Sequence, residues 1–141
     1  MKPTILFLFF FISFCCQAQI QHVYTGKTDS VVIKSFSFYD KETSTINDTI
    51  QGSKIELINS KKLTINEINS LYKKLKSIKS YSKKRALLSH FDIKLFFYFN
   101  GRIIQDITYS SITHNLTIYT YEKCTFKGKA TPYLEKEIKR H

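Results

Sequence analysis

Cysteine all but disappears from this 141-residue chain after its first eighteen residues: of three cysteines, Cys15 and Cys16 lie in the N-terminal apolar segment and only Cys124 follows. The body of the chain therefore forms no internal disulfide, even in a compartment that would permit one. Cys124 reads as a small buried hydrophobe, with an intermolecular bridge as the alternative. Glycine is equally thin: the four glycines, at 26, 52, 101 and 128, stand alone, so there is no glycine-rich phosphate loop. The four histidines, His22, His90, His114 and His141, are 68, 24 and 27 residues apart, with no H-x-x-x-H or C-x-x-C element. Metal sites usually carry such close ligand pairs, so no metal and no cofactor is expected. Long apolar runs are missing too. The longest, Pro3 to Cys16, has 14 residues, against the ~20 that cross a bilayer.

What is present begins with that short run. Lys2 supplies one positive charge, Ile5-Leu6-Phe7-Leu8-Phe9-Phe10-Phe11-Ile12 an apolar core, and Cys16-Gln17-Ala18 small residues at −3 and −1. This is the three-part layout of a secretory signal, with cleavage expected after Ala18 to leave Gln19 first. Two other readings are a membrane anchor and lipidation at Cys15 or Cys16. The first fails on length; the second lacks the small residue that should precede the modified cysteine. The Gln17-Ala18-Gln19 ending resembles the signal ends of small exported proteins of Bacteroidota bacteria. The Ile, Lys, Asn and Ser content is consistent with that resemblance. Asp29-Ser30-Val31 and Asp48-Thr49-Ile50 resemble the periplasmic O-glycosylation motif of the same phylum. The resemblance implies export to the periplasm or beyond and says nothing of activity.

Residues 19–141 suit a single domain with a modest core. We divide them into a flexible lead-in, 19–30, and one domain, 31–141. Removing the signal takes away one of the 22 basic residues; the remaining 21 face 11 acids, a net +10. Such a field favours an anionic envelope surface or an acidic protein partner. For an exported chain, nucleic acid is the weaker expectation.

The 9 Tyr and 12 Phe favour strands. Val31–Tyr39 changes phase between Ile33 and Phe36, which calls for burial on both faces or a bulge near Ser35. Residues 40–49 are polar and read as a loop; Lys54–Ile58 reads as a short strand with Ile55 and Leu57 on one face. Thr64 to about Lys79 is the clearest helix. Thr64 and Glu67 make a capping box, and Ile65, Ile68, Leu71, Tyr72, Leu75 and Ile78 form an apolar stripe. Residues 80–90 link onward, with a helical turn at Arg85-Ala86-Leu87-Leu88. Phe91–Tyr109 is a hairpin. A three-residue Phe99-Asn100-Gly101 loop would set Phe97 opposite Ile103, Ile93 opposite Ile107, Phe91 opposite Tyr109 and Lys94 opposite Asp106. Leu116–Tyr121 and Cys124–Lys127 follow as strands around a turn at Glu122-Lys123. Thr131-Pro132 then opens a C-terminal helix docked by Tyr133, Leu134 and Ile138. The order β-β-α-β-β-β-β-α predicts an α+β fold: an antiparallel sheet of five to six strands, one amphipathic helix on one face and a short C-terminal helix.

Chemistry is harder to find. Cys124 with His90 or His114 is the one thiol–imidazole combination open to a hydrolase, and no local signature surrounds it. Asp92 and Asp106 are the candidate paired carboxylates, but Asp106 is claimed by Lys94. His22 and His141 are expected in solvent. No catalytic and no metal-binding residue is assigned. The strongest surface feature is Lys73, Lys74, Lys76, Lys79, Lys83, Lys84 and Arg85, interleaved with Tyr72 and Tyr81: an anion-binding patch, or the solvated face of an amphipathic helix. Phe96, Tyr98 and Ile104 mark a second surface, either exposed or covered by the C-terminal helix. The sequence reading is an exported, non-enzymatic binding protein, inhibitor- or immunity-like in size and shape. Its alternative is a basic module on anionic envelope components, and a more remote one is a cysteine hydrolase.

Overall fold

The computed structural model describes residues 22–24, 26–37, 49–50, 53–54, 56–82, 84 and 90–141. The signal segment 1–18, Asp48, Ile55, Lys83, most of the 40–49 loop and the expected turn at 85–88 lie outside the described residues.

The elements are β1 (Ser30–Phe36), β2 (Thr49–Ile50), β3 (Ser53–Lys54), β4 (Leu57–Lys62), α1 (Ile65–Leu75), a 3-10 turn (Ile78–Ser80) and β5 (Tyr81–Ser82). They continue with β6 (Ile93–Phe99), β7 (Arg102–Tyr109), β8 (Asn115–Thr120), β9 (Lys123–Ala130) and α2 (Pro132–Ile138). Seven strands make one antiparallel sheet in the order β4-β1-β6-β7-β8-β9-β5, and β2 pairs only with β3. The α+β class holds, but the sheet has seven strands and not five to six. The added strand is the edge β5; the other edge, β4, is expected over 54–58 and runs further along the chain. Strand β4 runs through polar Asn59-Ser60-Lys61-Lys62, past the expected end at Ile58. Lysines of this kind keep an edge from pairing with other chains. Strand β5 is only two residues long, too short to leave a periodicity.

Alternation sets the inward face. Ile33, Leu95, Ile107, Ile118 and Phe126 lie directly opposite one another across five strands, and they share one core with Ile68, Leu71 and Leu75 of α1 and Leu134 and Ile138 of α2. Burying a side chain of this kind stabilises by about 1.5–3 kcal/mol relative to exposure. The register shift expected near Ser35 falls between Ser35 and Phe36, and Phe36 and Phe91 are buried outside this cluster. Parts of the lead-in pack on the domain. Val23 is buried in the core, the Tyr24 amide donates to Gln105 Oε1 at 2.7 Å, and Thr28 and Tyr72 share a hydroxyl hydrogen bond of 2.6 Å. Ser30 begins β1 half-buried and opposite Tyr98.

The hairpin corrects the predicted register. Phe99 pairs with Arg102, so Asn100-Gly101 is a two-residue turn with φ of 49° and 72°, the type I′ pattern. The clash of core and solvent faces that this turn creates is resolved one step back. Phe97 opposes Gln105 and Tyr98 opposes Ile103, leaving Ile104 as the extra residue. Ile104 is buried and Ile103 is 48% exposed. Beyond the bulge, Leu95 opposes Ile107 and Ile93 opposes Tyr109. The shift from the predicted register is two residues, which preserves side-chain parity, so Leu95, Phe97, Ile107 and Tyr109 still face the core. Lys94 opposes Thr108, and its 3.6 Å ion pair with Asp106 is diagonal. Phe96 and Tyr98 are half-buried, and two cations, Lys34 and Lys94, lie over the Phe96 ring at 5.3 and 5.0 Å. Helix α2 lies on the opposite, core side, so it is not their cover.

Strands β8 and β9 meet in a second tight turn at Tyr121-Glu122, with φ of 47° and 65°, one residue before the expected Glu122-Lys123. A bulge beside it leaves Thr125 extra, between Ile118–Phe126 and Tyr119–Cys124. At Gly128, a Cβ would lie 2.4 Å from the Ser82 carbonyl oxygen, so the short edge strand β5 needs glycine there.

Candidate functional site

The predicted basic patch follows α1. Thr64 caps this helix through its hydroxyl, and the Glu67 carboxylate accepts from the Thr64 amide at 2.8 Å, completing the capping box. Glu67 also takes Lys61 Nζ at 2.7 Å. These partners, Lys61 first and then the Thr64 amide, draw its carboxyl down to about 2.

The helix ends at Leu75, four residues before the predicted Lys79. Ser77 starts a 3-10 turn by accepting from the Lys79 amide. Two hydroxyls then satisfy α1's last carbonyls: Ser80 Oγ donates to the Lys74 oxygen and Tyr81 Oη to the Leu75 oxygen, both at 2.5 Å. The inward stripe narrows to Ile68, Leu71 and Leu75, with Tyr72 beside it; Ile65 and Ile78 stand in solvent.

The patch divides accordingly. Lys73, Lys76, Lys79 and Lys84 are exposed and Lys74 is half-buried; Lys83 and Arg85 lie outside the described residues. Tyr72 does meet one of the lysines, with Lys76 Nζ 5.5 Å from its ring centroid. Tyr72 and Tyr81 also pack against the core, and burial pushes both phenols up. Lys76 and Lys74 line different clefts. Lys76 borders one of about 220 Å³ with Gly26, Thr28, Ile65, Ile68, Asn69 and Tyr72. Lys74 borders one of about 250 Å³ with Tyr133, Lys136, Glu137 and Arg140.

The second cleft gathers cations that the sequence reading did not assign. Lys136 belongs to α2, and Arg140 follows four residues on. Lys74 Nζ lies 3.5 Å from the centroid of the Tyr133 ring, a cation–π contact. No ion pair among the described residues engages Lys74, Lys136 or Arg140. The signal in the sequence was the four-residue spacing of Lys136 and Arg140 behind Thr131-Pro132. What hid it was the 62-residue separation from Lys74, which only the docking of α2 on α1 removes.

The remaining chemical candidates fall elsewhere. Cys124 is exposed, not buried, because the Thr125 bulge puts Cys124 and Phe126 on opposite faces. Its thiol donates to the Phe126 carbonyl at 3.6 Å. His114 is held by Glu135, which accepts from both His114 Nδ1 and Tyr109 Oη. Burial alone pushes the Glu135 carboxyl up; these two hydrogen bonds and the charges of Lys139 and His114 more than offset it, leaving it below its ordinary value. Asp92 accepts from the Ser111 amide at 2.8 Å and from the Ser111 hydroxyl, tying down the β7–β8 connection. The terminal histidines are not in open solvent. His22 is half-buried, with ring centroids 5.0 Å from Phe126 and 6.1 Å from Tyr81. The His141 side chain is buried between Glu67 and Glu137, each carboxylate 3.4 Å from a ring nitrogen and neither hydrogen-bonded to it. Among the described residues, no group of His, Cys, Asp and Glu is placed to hold a metal ion. Within them no helix is long and apolar enough to cross a membrane.

Comparison with protein-family models, with curated proteins and with solved structures gives no match to this chain.

Proposed function

We propose that this chain is an exported, non-enzymatic binding protein that engages an anionic partner through the basic face of α1 and α2. The observation that carries the reading is the convergence of Lys74, Lys136 and Arg140 on one cleft, with no ion pair to a described carboxylate. Exposed Lys73, Lys76 and Lys79 extend the same charge along α1. A net +10 on residues 19–141 adds long-range attraction toward an anionic envelope.

The test is co-sedimentation with phosphatidylglycerol vesicles, against phosphatidylcholine as the neutral control. Binding is expected to the anionic vesicles only, and to collapse near 0.5 M salt, where the Debye length has shrunk to roughly 4 Å. Lys136→Glu with Arg140→Glu is expected to weaken it. Indifference to lipid charge and to salt overturns the reading. Capture of a protein partner that survives high salt with both reversals in place would support the inhibitor- or immunity-like reading instead.

A further inference from the structure

We propose that the cleft between α1 and α2 is a binding site for a phosphate monoester, with Arg140 and Lys136 as its principal ligands and Lys74 as a third, pre-positioned cation. The proposal rests on the anion-binding reading above and adds the chemistry of the bound group.

Compensation of helix dipoles accounts for a cation near the end of either helix. It does not account for three cations lining one cleft, one from α1, one from α2 and one just past the end of α2, nor for an aromatic ring that holds one of them. The Tyr133 ring holds the Lys74 ammonium 3.5 Å from its centroid, and Lys74 is half-buried. A lysine parked in this way loses less side-chain freedom when an anion arrives. The helix ends themselves present carbonyls and partial negative charge, so the side chains must hold the anion unaided.

Three features narrow its class. The Arg140 guanidinium is a planar fork that matches two oxygens of a phosphate, while the lysines act as point charges. The volume of about 250 Å³ lies below the ~300–1,000 Å³ of pockets that take drug-sized ligands, which suits one phosphate on a small carrier or headgroup. Glu137 lines the same cleft with its side chain 7% exposed. Its negative charge, buried beside His141, repels a second anionic group. A single small monoester therefore fits better than a polyanion.

The test titrates the isotope-labelled protein with glycerol 3-phosphate, sulfate and a short poly-aspartate peptide, following amide resonances. A parallel arm compares vesicles containing phosphatidic acid with vesicles containing phosphatidylglycerol at matched charge. Glycerol 3-phosphate is expected to shift amides near Lys74 and from 133 to 141, and to bind at least about threefold more tightly than sulfate. Arg140→Gln and, separately, Lys136→Gln are expected to weaken it about tenfold, the loss of one charge-assisted hydrogen bond. Lys127→Gln, exposed on β9 and outside the cleft lining, should change affinity by less than about twofold. Unchanged thermal midpoints show that a variant still folds, and the second variant covers the failure of the first. A preference for phosphatidic acid without binding of the soluble ester also supports the proposal and assigns the phosphate to a lipid headgroup. Shifts that map elsewhere, or equal affinity for poly-aspartate, overturn it. If phosphatidylglycerol vesicles bind in a salt-dependent way while neither monoester is recognised, the phosphate site fails and the anionic-docking reading stands. If nothing anionic binds, both fail.

Discussion

Tyr81 donates its hydroxyl hydrogen to the Leu75 carbonyl across 2.5 Å. A residue of the edge strand thereby closes the end of α1. The phenol is half-buried against Phe126, ring centroids 4.9 Å apart, and that desolvation keeps it neutral and able to donate. Tyr81→Phe removes the donor and leaves the ring contact, so about 1–2 kcal/mol of stability should go. Urea unfolding measures this. A variant as stable as its parent would show that the Leu75 oxygen finds equivalent solvation without the phenol.

Acid should weaken the start of the same helix. Glu67 is held near 2 by Lys61 and the Thr64 amide, against an ordinary 4.5. A carboxyl lowered in the folded state contributes stability in full above its unfolded pKa and loses it as pH falls through the folded one. The loss belongs between about pH 4.5 and pH 2. Glu67→Gln should flatten the unfolding-midpoint profile across that window and leave it parallel to the parent above it. An unchanged acid limb contradicts the assignment.

Glu135 fixes a tautomer. Because its carboxylate accepts at His114 Nδ1, the imidazole proton belongs on Nδ1 whenever the ring is neutral. Imidazole nitrogen shifts at pH 8 should report the Nδ1–H form at His114. Glu135→Gln should lose that signature and cost about 1–3 kcal/mol, since the buried Tyr109 hydroxyl keeps only a weaker acceptor. An Nε2–H ring in the parent protein contradicts the contact.

Cys124 is the exposed thiol of the described residues. In native buffer, a small disulfide reagent should titrate one thiol per chain of residues 19–141, at a rate within about tenfold of that in denaturant. Labelling that requires unfolding would return Cys124 to the core.

How much of this was legible depended on distance along the chain. Thr64 and Glu67 are three residues apart, and their capping box could be read directly, as could the Pro132 start of α2. The parity of β6, and of β7 from Ile107 on, was legible because inward residues alternate. The register was not, and neither was the exchange of Ile103 for Ile104 in the core, since a two-residue turn with a bulge and a three-residue loop serve the same alternation beyond the bulge. Cys124 was misplaced by a similar bulge, at Thr125. The edges were legible to different degrees: the start of β4 showed, its run past Ile58 did not because an edge is polar, and β5 is too short for any pattern. The cationic cleft was half visible. Lys74 stood out as part of a run, but Tyr133, Lys136 and Arg140 join it only through tertiary packing. The same packing buries His141 between carboxylates of two helices.

The strand order also carries a kinetic consequence. Strands β6 to β9 follow one another through short connections, two of them two-residue turns, and pair in sequence. Strand β1 must instead reach β6 across the more than fifty residues between Phe36 and Ile93. Closing that loop costs entropy before any pairing offsets it, so the rate-limiting ensemble should be weighted toward the β6–β9 meander. Substitutions in the meander should then slow folding, whereas those in α1 and α2 should mainly hasten unfolding. The helices that frame the cationic cleft would be the last to dock and the first to leave, which places the proposed binding site on the most readily opened layer of the domain.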